Sequence, residues 1–335
     1  MSWAKHLLWF FLLGMLLSAV VGWWVYRDYR AFLINPLPIP STGLTYRVER
    51  GASINTIAYD WKRLGLLSQP LYLVAYARIN GLATQIKAGE YQLPAGANIP
   101  TLMDDIVTGR AIQYSLTIPE GWTFQQMIRA VWQHPQIVNT LADLDGQALM
   151  AKLSSPIQNP EGMFFPDTYY FPRGTTDLAF LQRAYQTMQD HLQAVWQQRA
   201  ADLPLTDAYQ ALVLASIIEK ETGLARERRE IAGVFTRRLR KGMLLQTDPT
   251  VIYGLGDEFD GNLRRLHLTT DTPYNTYTRS GLPPTPIALP GLAALQAAVD
   301  PAPGDSLYFV ATGDGGHVFS KTLREHNQAV RRYQR

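Results

Sequence analysis

Two glutamates, Glu219 and Glu221, follow directly on a strongly apolar segment, where a carboxyl could do acid–base chemistry. Nearly every residue from Ala211 to Ile218 is apolar, and a helix that is apolar all round is buried. Burial and the negative end of the helix would both raise the pKa of Glu219. A carboxyl that stays protonated near neutral pH can act as general acid on a glycosidic oxygen. The alternative is that both glutamates are surface residues that end a core helix.

Helical geometry separates the two carboxyls. Glu221 lies about 200° around the helix from Glu219, so one pocket is not expected to hold both. Glu219 shares its face with Ala215 and Ser216, whose small side chains leave room for a ligand. The pattern therefore favours Glu219 as the acid.

Two later segments carry the residue types of a sugar-binding site. Segment 246–254 reads Gln-Thr-Asp-Pro-Thr-Val-Ile-Tyr-Gly, and segment 272–278 reads Thr-Pro-Tyr-Asn-Thr-Tyr-Thr. Aromatic rings offer flat faces for a sugar ring, and a few placed polar groups fix its orientation. The alternative for both segments is ordinary loop structure.

Composition excludes several other kinds of chemistry. The 335 residues include no cysteine, so a disulfide framework, a cysteine nucleophile and a cysteine–zinc site are excluded. With 47% hydrophobic and 18% charged residues, the chain can bury a sizeable core. No segment has zinc-ligand spacing, a P-loop or a Gly-x-Ser-x-Gly elbow, so neither a metal nor a cofactor is expected.

The basic segment 226–241 raises the question of nucleic acid. It holds seven Lys and Arg residues, although the net charge of the chain is only +3. Apolar residues recur within the segment at helical spacing, which predicts an amphipathic helix with a solvated cationic face. That face could steer an anionic wall polymer, and nucleic-acid binding is not expected.

The N-terminus predicts a membrane helix. Leu7 to Tyr26 is a run of 20 residues without Asp, Glu, Lys or Arg. About 20 apolar residues span a hydrocarbon core of ~30 Å. A cleaved signal peptide is the alternative, but its apolar region is usually shorter. Lys5 on one side and Arg27 and Arg30 on the other leave the orientation open.

Small α+β units follow this helix. Residues 35–40 form a proline-rich spacer that should be extended and stiff. Three segments, 51–57, 96–102 and 121–127, each combine a turn glycine, an N-cap residue and apolar residues three apart, and each follows a strand-like run. Residues 46–93 read as strand, helix, helix, strand, an order that resembles a LysM-type sugar-binding module.

The C-terminal half begins with a loop rich in aromatics and proline (159–172) and a long amphipathic helix (176–199). Segments 306–311 and 317–320 flank Gly-Asp-Gly-Gly, which predicts a hairpin. Thr322 and Glu325 have the spacing of a capping box, which opens the last helix.

Several motifs, in order, resemble the YceG-like endolytic murein transglycosylases, the MltG family. They are Glu161-Gly162 with 165–169 (Phe-Pro-Asp-Thr-Tyr), 215–222 (Ala-Ser-Ile-Ile-Glu-Lys-Glu-Thr), 245–254 (Leu-Gln-Thr-Asp-Pro-Thr-Val-Ile-Tyr-Gly), 274–277 (Tyr-Asn-Thr-Tyr), 281–284 (Gly-Leu-Pro-Pro), 307–310 (Leu-Tyr-Phe-Val) and 315–319 (Gly-Gly-His-Val-Phe). The resemblance extends over the whole chain.

The resemblance implies an α+β protein with an inner-membrane anchor, a LysM-like module and a periplasmic catalytic domain. The expected boundaries are 1–6 for a cytoplasmic N-terminus, 7–26 for the membrane helix, 27–43 for a linker, 44–111 for the module and 112–335 for the catalytic domain. Peptidoglycan glycan strands are the implied substrate, and membrane-bound peptidoglycan synthases are possible partners.

The resemblance also implies a reaction. Glu219, the first glutamate of the Glu-Lys-Glu motif, would protonate the oxygen between MurNAc and GlcNAc and then deprotonate the sugar's own 6-hydroxyl, which leaves a 1,6-anhydro-MurNAc end. Substrate-binding residues carried over from the motifs are Glu161, Glu221, Gln246, Thr247, Asp248, Tyr253, Asn275 and Tyr277. Attack within nascent strands would end their growth. The alternatives are a two-carboxylate muramidase, with Glu161, Glu221 or Asp248 as second carboxylate, and a non-catalytic wall-binding adaptor.

Overall fold

The protein has a mixed α+β fold, as the sequence predicts. The computed structural model describes residues 2–141 and 144–334, so parts of the expected segment 1–6 and of the expected domain 112–335 lie outside the described residues. The chain divides into two compact units, one of Met1–Tyr114 with Phe171–Gly174 and one of Ser115–Tyr170 with Thr175–Arg335.

The first unit is built around an antiparallel strand pair. Its elements are α1 (Ser2–Ile34), β1 (Leu44–Val48), α2 (Ile54–Arg63), α3 (Pro70–Ile79), β2 (Gly89–Leu93) and α4 (Ile99–Thr108). The predicted order of strand, helix, helix, strand over residues 46–93 is confirmed, and β1 pairs with β2 from Leu44↔Leu93 to Val48↔Gly89. Ser53 and Asn98 cap α2 and α4 through their side chains, as the turn–cap pattern predicts.

Helix α1 is longer than the apolar run that predicts it. Its segment His6–Ile34 is long and apolar enough to cross a membrane, by length and composition. The last turns of α1 reach into the first unit, where the Tyr72 hydroxyl donates to the Asp28 carboxylate at 3.0 Å. The rings of Tyr29 and Phe32 also pack on Tyr72, at 5.6 and 5.5 Å between centroids.

The expected linker of residues 27–43 differs from the structure. Residues 27–34 belong to α1, and Leu37 and Ile39 are buried in the core of the first unit. The Leu37 N–H donates to the Ala97 carbonyl at 2.9 Å. Prolines keep this segment out of a helix, and the Ile39 N–H donates to the Leu37 carbonyl at 2.8 Å in a tight turn around Pro38. The segment is therefore part of the packed unit and not a free spacer.

The remaining elements form small sheets among many helices. They are β3 (Gln113–Thr117), α5 (Phe124–Gln133), β4 (Ile137–Val138), α6 (Gly146–Lys152), β5 (Thr168–Pro172), β6 (Thr175–Thr176), α7 (Asp177–Gln197), α8 (Ala208–Glu221), α9 (Arg228–Arg240), α10 (Asp248–Leu255), α11 (Arg265–Thr269), α12 (Leu292–Val299), β7 (Tyr308–Ala311), β8 (His317–Ser320) and α13 (Leu323–Tyr333). The strand pairs are β3–β5, β4–β6 and β7–β8.

Helix α8 is the central element of the second unit. It packs against α7, α9, α10 and α12, and every residue from Ala211 to Ile218 is buried, as the apolar run predicts. The predicted hairpin is confirmed as the antiparallel pair β7–β8. Thr322 and Glu325 form the predicted capping box at the start of α13.

The basic segment 226–241 is not a uniformly solvated face. Arg238 is only 7% exposed. The Arg237 guanidinium donates to the carbonyls of Ser306 and Ala302 at 2.7 and 3.0 Å. A guanidinium carries five N–H donors in a fixed fork, so it can donate to several backbone carbonyls of the loops that pack on α9.

Candidate active site

Helix α8 is fixed firmly enough to position a catalytic carboxyl. The Asp207 side chain caps its first turn by accepting from the Gln210 N–H at 2.9 Å. Buried Ser216 donates to the Val213 carbonyl and accepts from the Ile287 N–H at 3.0 Å. The helix ends at Glu221, so both glutamates lie in its last turn.

The Glu219 carboxylate is held by protein groups on both oxygens. One oxygen accepts the Gly291 N–H at 3.0 Å, and the other lies 3.5 Å from an Arg228 guanidinium nitrogen. The side chain is 6% exposed. Burial raises the pKa of Glu219 and the Glu120 charge adds to this, whereas the Gly291 N–H and Arg228 oppose it. The predicted rise in pKa is confirmed in direction.

Glu221 lies instead in a cavity of about 380 Å³. Among the described residues, those that line it include Glu221 and not Glu219. The others are Arg238, Leu245, Gln246, Asp248, Tyr277, Tyr308, Phe309, Val310, Ala311, His317, Leu323, His326, Val330 and Gln334. The wall is therefore built from α8, α9, α10, the β7–β8 hairpin, α13 and the loops around 245 and 277.

Electrostatics make Glu221 a carboxyl that can exchange a proton near neutral pH. The pKa of Glu221 is raised to about 7, chiefly by burial and also by the neighbouring Asp248 charge. The hydroxyl of Thr247, which donates to this carboxylate, and the charges of His317 and Arg238 act in the opposite direction. A general acid works best when its pKa lies near the operating pH.

The segment after α9 forms one wall of the cavity. Gln246 has a positive φ of 50°, unusual for a residue with a side chain, and its N–H donates to the Thr276 carbonyl. Thr247 is 2% exposed and its N–H donates to the Thr276 hydroxyl at 3.1 Å. The Tyr277 hydroxyl donates to the Asp248 carboxylate. Four of the predicted binding residues, Glu221, Gln246, Asp248 and Tyr277, thus line one cavity.

Asn275 lies beneath this wall and does not line the cavity in the described part of the chain. It is fully buried, and its amide nitrogen donates to the carbonyls of His267, Leu268 and Thr270. Its oxygen accepts the Tyr277 N–H at 2.9 Å. These bonds hold the 267–277 loop in place, so Asn275 positions Tyr277.

Glu161 and Tyr253 form a separate buried cluster. Glu161 is 4% exposed and accepts the Phe124 N–H at 2.9 Å, at the start of α5, and the Tyr253 hydroxyl at 3.1 Å. Burial raises the pKa of Glu161, and with these bonds and the Lys220 charge acting in the opposite direction the pKa is about 7. The described residues that line the cavity around Glu221 include neither side chain.

Sequence reasoning did not single out Arg238, Tyr308, His317 and His326, which also line the cavity. His317 lies within the Gly-Gly-His-Val-Phe motif, which was noted only as a resemblance. Arg238 was one of seven basic residues, and nothing in their spacing distinguishes the buried one. Only the packing of the hairpin against α9, and of α13 against the hairpin, brings these side chains together.

The two carboxyls with a pKa of about 7, Glu161 and Glu221, predict a pH-dependent stability. Each folded-state pKa lies above the ordinary value of 4.5, so the folded state binds more protons between these values. The free energy of unfolding should therefore fall as pH rises from about 4.5 to about 7, by about 1 kcal/mol or more per carboxyl. Urea unfolding at several pH values measures this slope. Glu161→Gln and Glu221→Gln should each reduce the slope, and an unchanged slope in both variants would contradict the expectation.

Gly162, next to Glu161, tests how closely this region is packed. It has φ of +77°, and a Cβ there would lie 2.4 Å from the Pro286 Cβ. Gly162→Ala should cost about 2–4 kcal/mol of unfolding free energy, since backbone strain and overpacking add. Gly281→Ala is the matched control, with φ of +84° but open space around the site, and should cost about 1 kcal/mol. Chemical denaturation compares the two, and equal costs would mean that Pro286 simply moves aside.

Comparison with known proteins identifies the family of the chain. Residues 46–332 match the YceG-like family. A protein of Bacillus subtilis (strain 168) named endolytic murein transglycosylase is 31% identical, across 91% of this chain and 89% of that protein. One of the same name from Streptococcus pneumoniae serotype 2 (strain D39 / NCTC 7466) is 26% identical, and the match spans only 61% of its length. The crystal structure of a yceG-like protein from Listeria monocytogenes is 30% identical, with a TM-score of 0.53 over 85% of this chain and 98% of that one. The chain belongs to the YceG-like family.

Proposed function

We propose that this protein is a lytic transglycosylase that cleaves peptidoglycan glycan strands. Family membership and the names of the relatives support the activity. The observation that carries the proposal is the cavity in which a carboxyl with a pKa of about 7 meets aromatic and polar side chains. Such a combination suits proton transfer to a glycosidic oxygen.

Glu221 is the acid/base in this proposal. It is the member of the Glu-Lys-Glu motif that reaches the cavity, and the Thr247 hydroxyl orients its carboxylate. Glu219, the residue favoured by the sequence, remains the competing assignment. Its carboxylate oxygens are taken up by Gly291 and Arg228, and this supports a role in fixing the end of α8.

The reaction needs only one carboxyl. Protonated Glu221 gives its proton to the oxygen that links MurNAc C1 to GlcNAc, and the C1–O bond breaks with its electron pair on that oxygen. The 6-hydroxyl of the same MurNAc attacks C1, and the Glu221 carboxylate takes the hydroxyl proton. The product ends in 1,6-anhydro-MurNAc and the acid is restored. Because the nucleophile is already part of the substrate, no bound water has to be placed.

Gln246, Asp248 and Tyr277 are proposed substrate contacts, since they line the cavity with Glu221. Thr247 acts through its bond to Glu221. Glu161, Tyr253 and Asn275 stay predictions from the motifs. Their contacts favour an indirect role, in which they hold the start of α5 and the 267–277 loop.

We also propose a cellular role for the protein at the inner membrane. Residues 7–26 would cross the inner membrane after a cytoplasmic segment 1–6, with 27–43 as the connection, 44–111 as a LysM-like glycan-binding module and 112–335 as a periplasmic catalytic domain. The apolar helix α1 and the βααβ order support the anchor and the module. Cleavage of nascent strands beside membrane-bound synthases would terminate glycan chains.

The test is digestion of defined glycan strands by the purified full chain, with mass spectrometry of the products. A transglycosylase leaves anhydro ends, whereas a hydrolase leaves reducing ends about 18 Da heavier. The muramidase alternative has one observation in its favour, because Asp248 lies in the same cavity as Glu221 and could hold a water. Reducing ends would support that alternative, and no cleavage at all would favour the wall-binding adaptor.

A further inference from the structure

A buried histidine–glutamate pair contributes its histidine, His317, to the cavity wall. His317, the first residue of β8, and Glu227, the residue before α9, have side chains that are 10% and 9% exposed. The Glu227 carboxylate lies 2.8 Å from His317 Nδ1 and also accepts the His317 backbone N–H at 3.3 Å. Two contacts with one carboxylate therefore fix both the backbone and the ring of His317.

The contact with Glu227 determines which ring nitrogen of His317 is available to the cavity. Nδ1 is occupied by Glu227, and the ring packs edge-to-face on Phe309, 5.4 Å between centroids at 87°. Because His317 lines the cavity together with Glu221, its Nε2 is the nitrogen left for that space. Within the described residues, this Nε2 forms no hydrogen bond.

Charge connects His317 to the proposed acid. The charge of His317 lowers the pKa of Glu221, as does that of Arg238, while Asp248 raises it. Several titratable and charged groups surround the side chains of Glu221 and His317. They are Asp248 from α10, Tyr277 from the loop after α11, Arg238 from α9, Tyr308 from β7, His326 from α13, and Arg226 and Glu227 just before α9.

We propose that the Glu227–His317 pair belongs to the active site and stabilises the Glu221 carboxylate, with Glu227 as the positioning residue that holds the His317 ring at the cavity wall. The proposal rests on the proposed function, in which Glu221 is the acid/base. When Glu221 gives up its proton to the glycosidic oxygen, the charge of His317, which lowers the pKa of Glu221, stabilises the new carboxylate. The proton passes between Glu221 and the substrate alone, so the proton count of the reaction is unchanged.

The first test is the pH profile of cleavage by the full chain. His317→Gln removes the charge that lowers the pKa of Glu221. Glu227→Gln removes the carboxylate that keeps this charge on the ring, so the effect of His317 on Glu221 is lost in both variants. In both variants the fall of the rate at alkaline pH, the alkaline limb, should move to higher pH by about half a unit or more. At a pH above this fall, the rate relative to the plateau should then be about threefold higher than in wild type. His317→Lys should restore the wild-type limb. Glu230→Gln, with the same charge change at an exposed position of α9, should leave it unmoved.

A uniform fall of the rate at all pH values in both variants, with the limb unmoved, would overturn the proposal, since a merely structural role predicts that result. If the alkaline limb moved in His317→Gln but not in Glu227→Gln, Glu227 would have no part in the control of Glu221.

A second measurement does not depend on activity. ¹³C NMR of the glutamate carboxyl carbons, with the Glu221 signal assigned by its loss in Glu221→Gln, follows the titration of this carboxyl. His317→Gln should raise its midpoint. If this shift occurs in a protein that cleaves no glycan, the pair stands and the proposed function fails. If the protein cleaves glycan but neither the midpoint nor the limb moves, the pair fails and the function stands.

Discussion

Replacing Glu221 with glutamine is expected to lower the rate of glycan cleavage by about 10²- to 10⁴-fold, the contribution of a general acid–base group. Glutamine keeps the shape of the side chain and can still accept from the Thr247 hydroxyl, but it has no proton to give. Steady-state rates on defined strands, together with anhydro-end counts, measure the effect. The wild-type rate should decline above pH 7, because the pKa of Glu221 is about 7.

Glu219→Gln is the matched control in the same turn of α8. Its amide oxygen can still accept the Gly291 N–H, while the ion pair with Arg228 is lost. The rate should stay within about tenfold of wild type, since a change in support is smaller than loss of the acid. If Glu219→Gln were inactive and Glu221→Gln active, the acid would be Glu219, as the sequence favours. Loss of activity in both variants with unchanged unfolding midpoints would mean that the two carboxyls act together.

The sequence could predict the helix that carries the acid, but not the face that meets the substrate. The apolar run 211–218 requires a buried helix, and the structure has one. Helical spacing separates Glu219 from Glu221 by about 200°. Which of them faces a cavity depends on the β7–β8 hairpin and α13, which lie about a hundred residues further along the chain. No local pattern contains that information.

The sequence also does not predict which residues of segment 35–40 and of the basic segment 226–241 are buried, because their burial depends on distant parts of the chain. Proline-rich composition predicts extended backbone at 35–40, and residues 36–40 belong to neither a helix nor a strand, with a tight turn from Leu37 to Ile39. Composition alone does not show that Leu37 and Ile39 fit the core of the first unit. Likewise the amphipathic pattern of α9 is real, but Arg237 and Arg238 bond to loop carbonyls far away in sequence. Arg238 is buried because those loops pack on α9, which the sequence of α9 itself does not show.

Arg238 illustrates how strongly the cavity depends on such a contact. Its guanidinium donates to the Leu307 carbonyl at 2.7 Å and to the Leu244 and Leu245 carbonyls at 3.2 and 2.7 Å. It also lies 5.1 Å from the centre of the Tyr308 ring. The side chain therefore ties the start of the hairpin and the segment before Gln246 to α9, and these are two walls of the cavity.

Arg238→Met should lower the unfolding free energy by about 3 kcal/mol or more, because three carbonyls lose their donor in a buried place. Arg238→Lys should recover little, since one ammonium cannot reproduce the fork. Arg240→Met, two residues on and 39% exposed with a single surface partner in Asp202, should cost less than about 1 kcal/mol. Urea unfolding gives all three values, and cleavage should fall in Arg238→Met even below its unfolding transition, since the cavity walls lose their common support. A cost for Arg238→Met as small as that for Arg240→Met would show that the walls hold without the guanidinium.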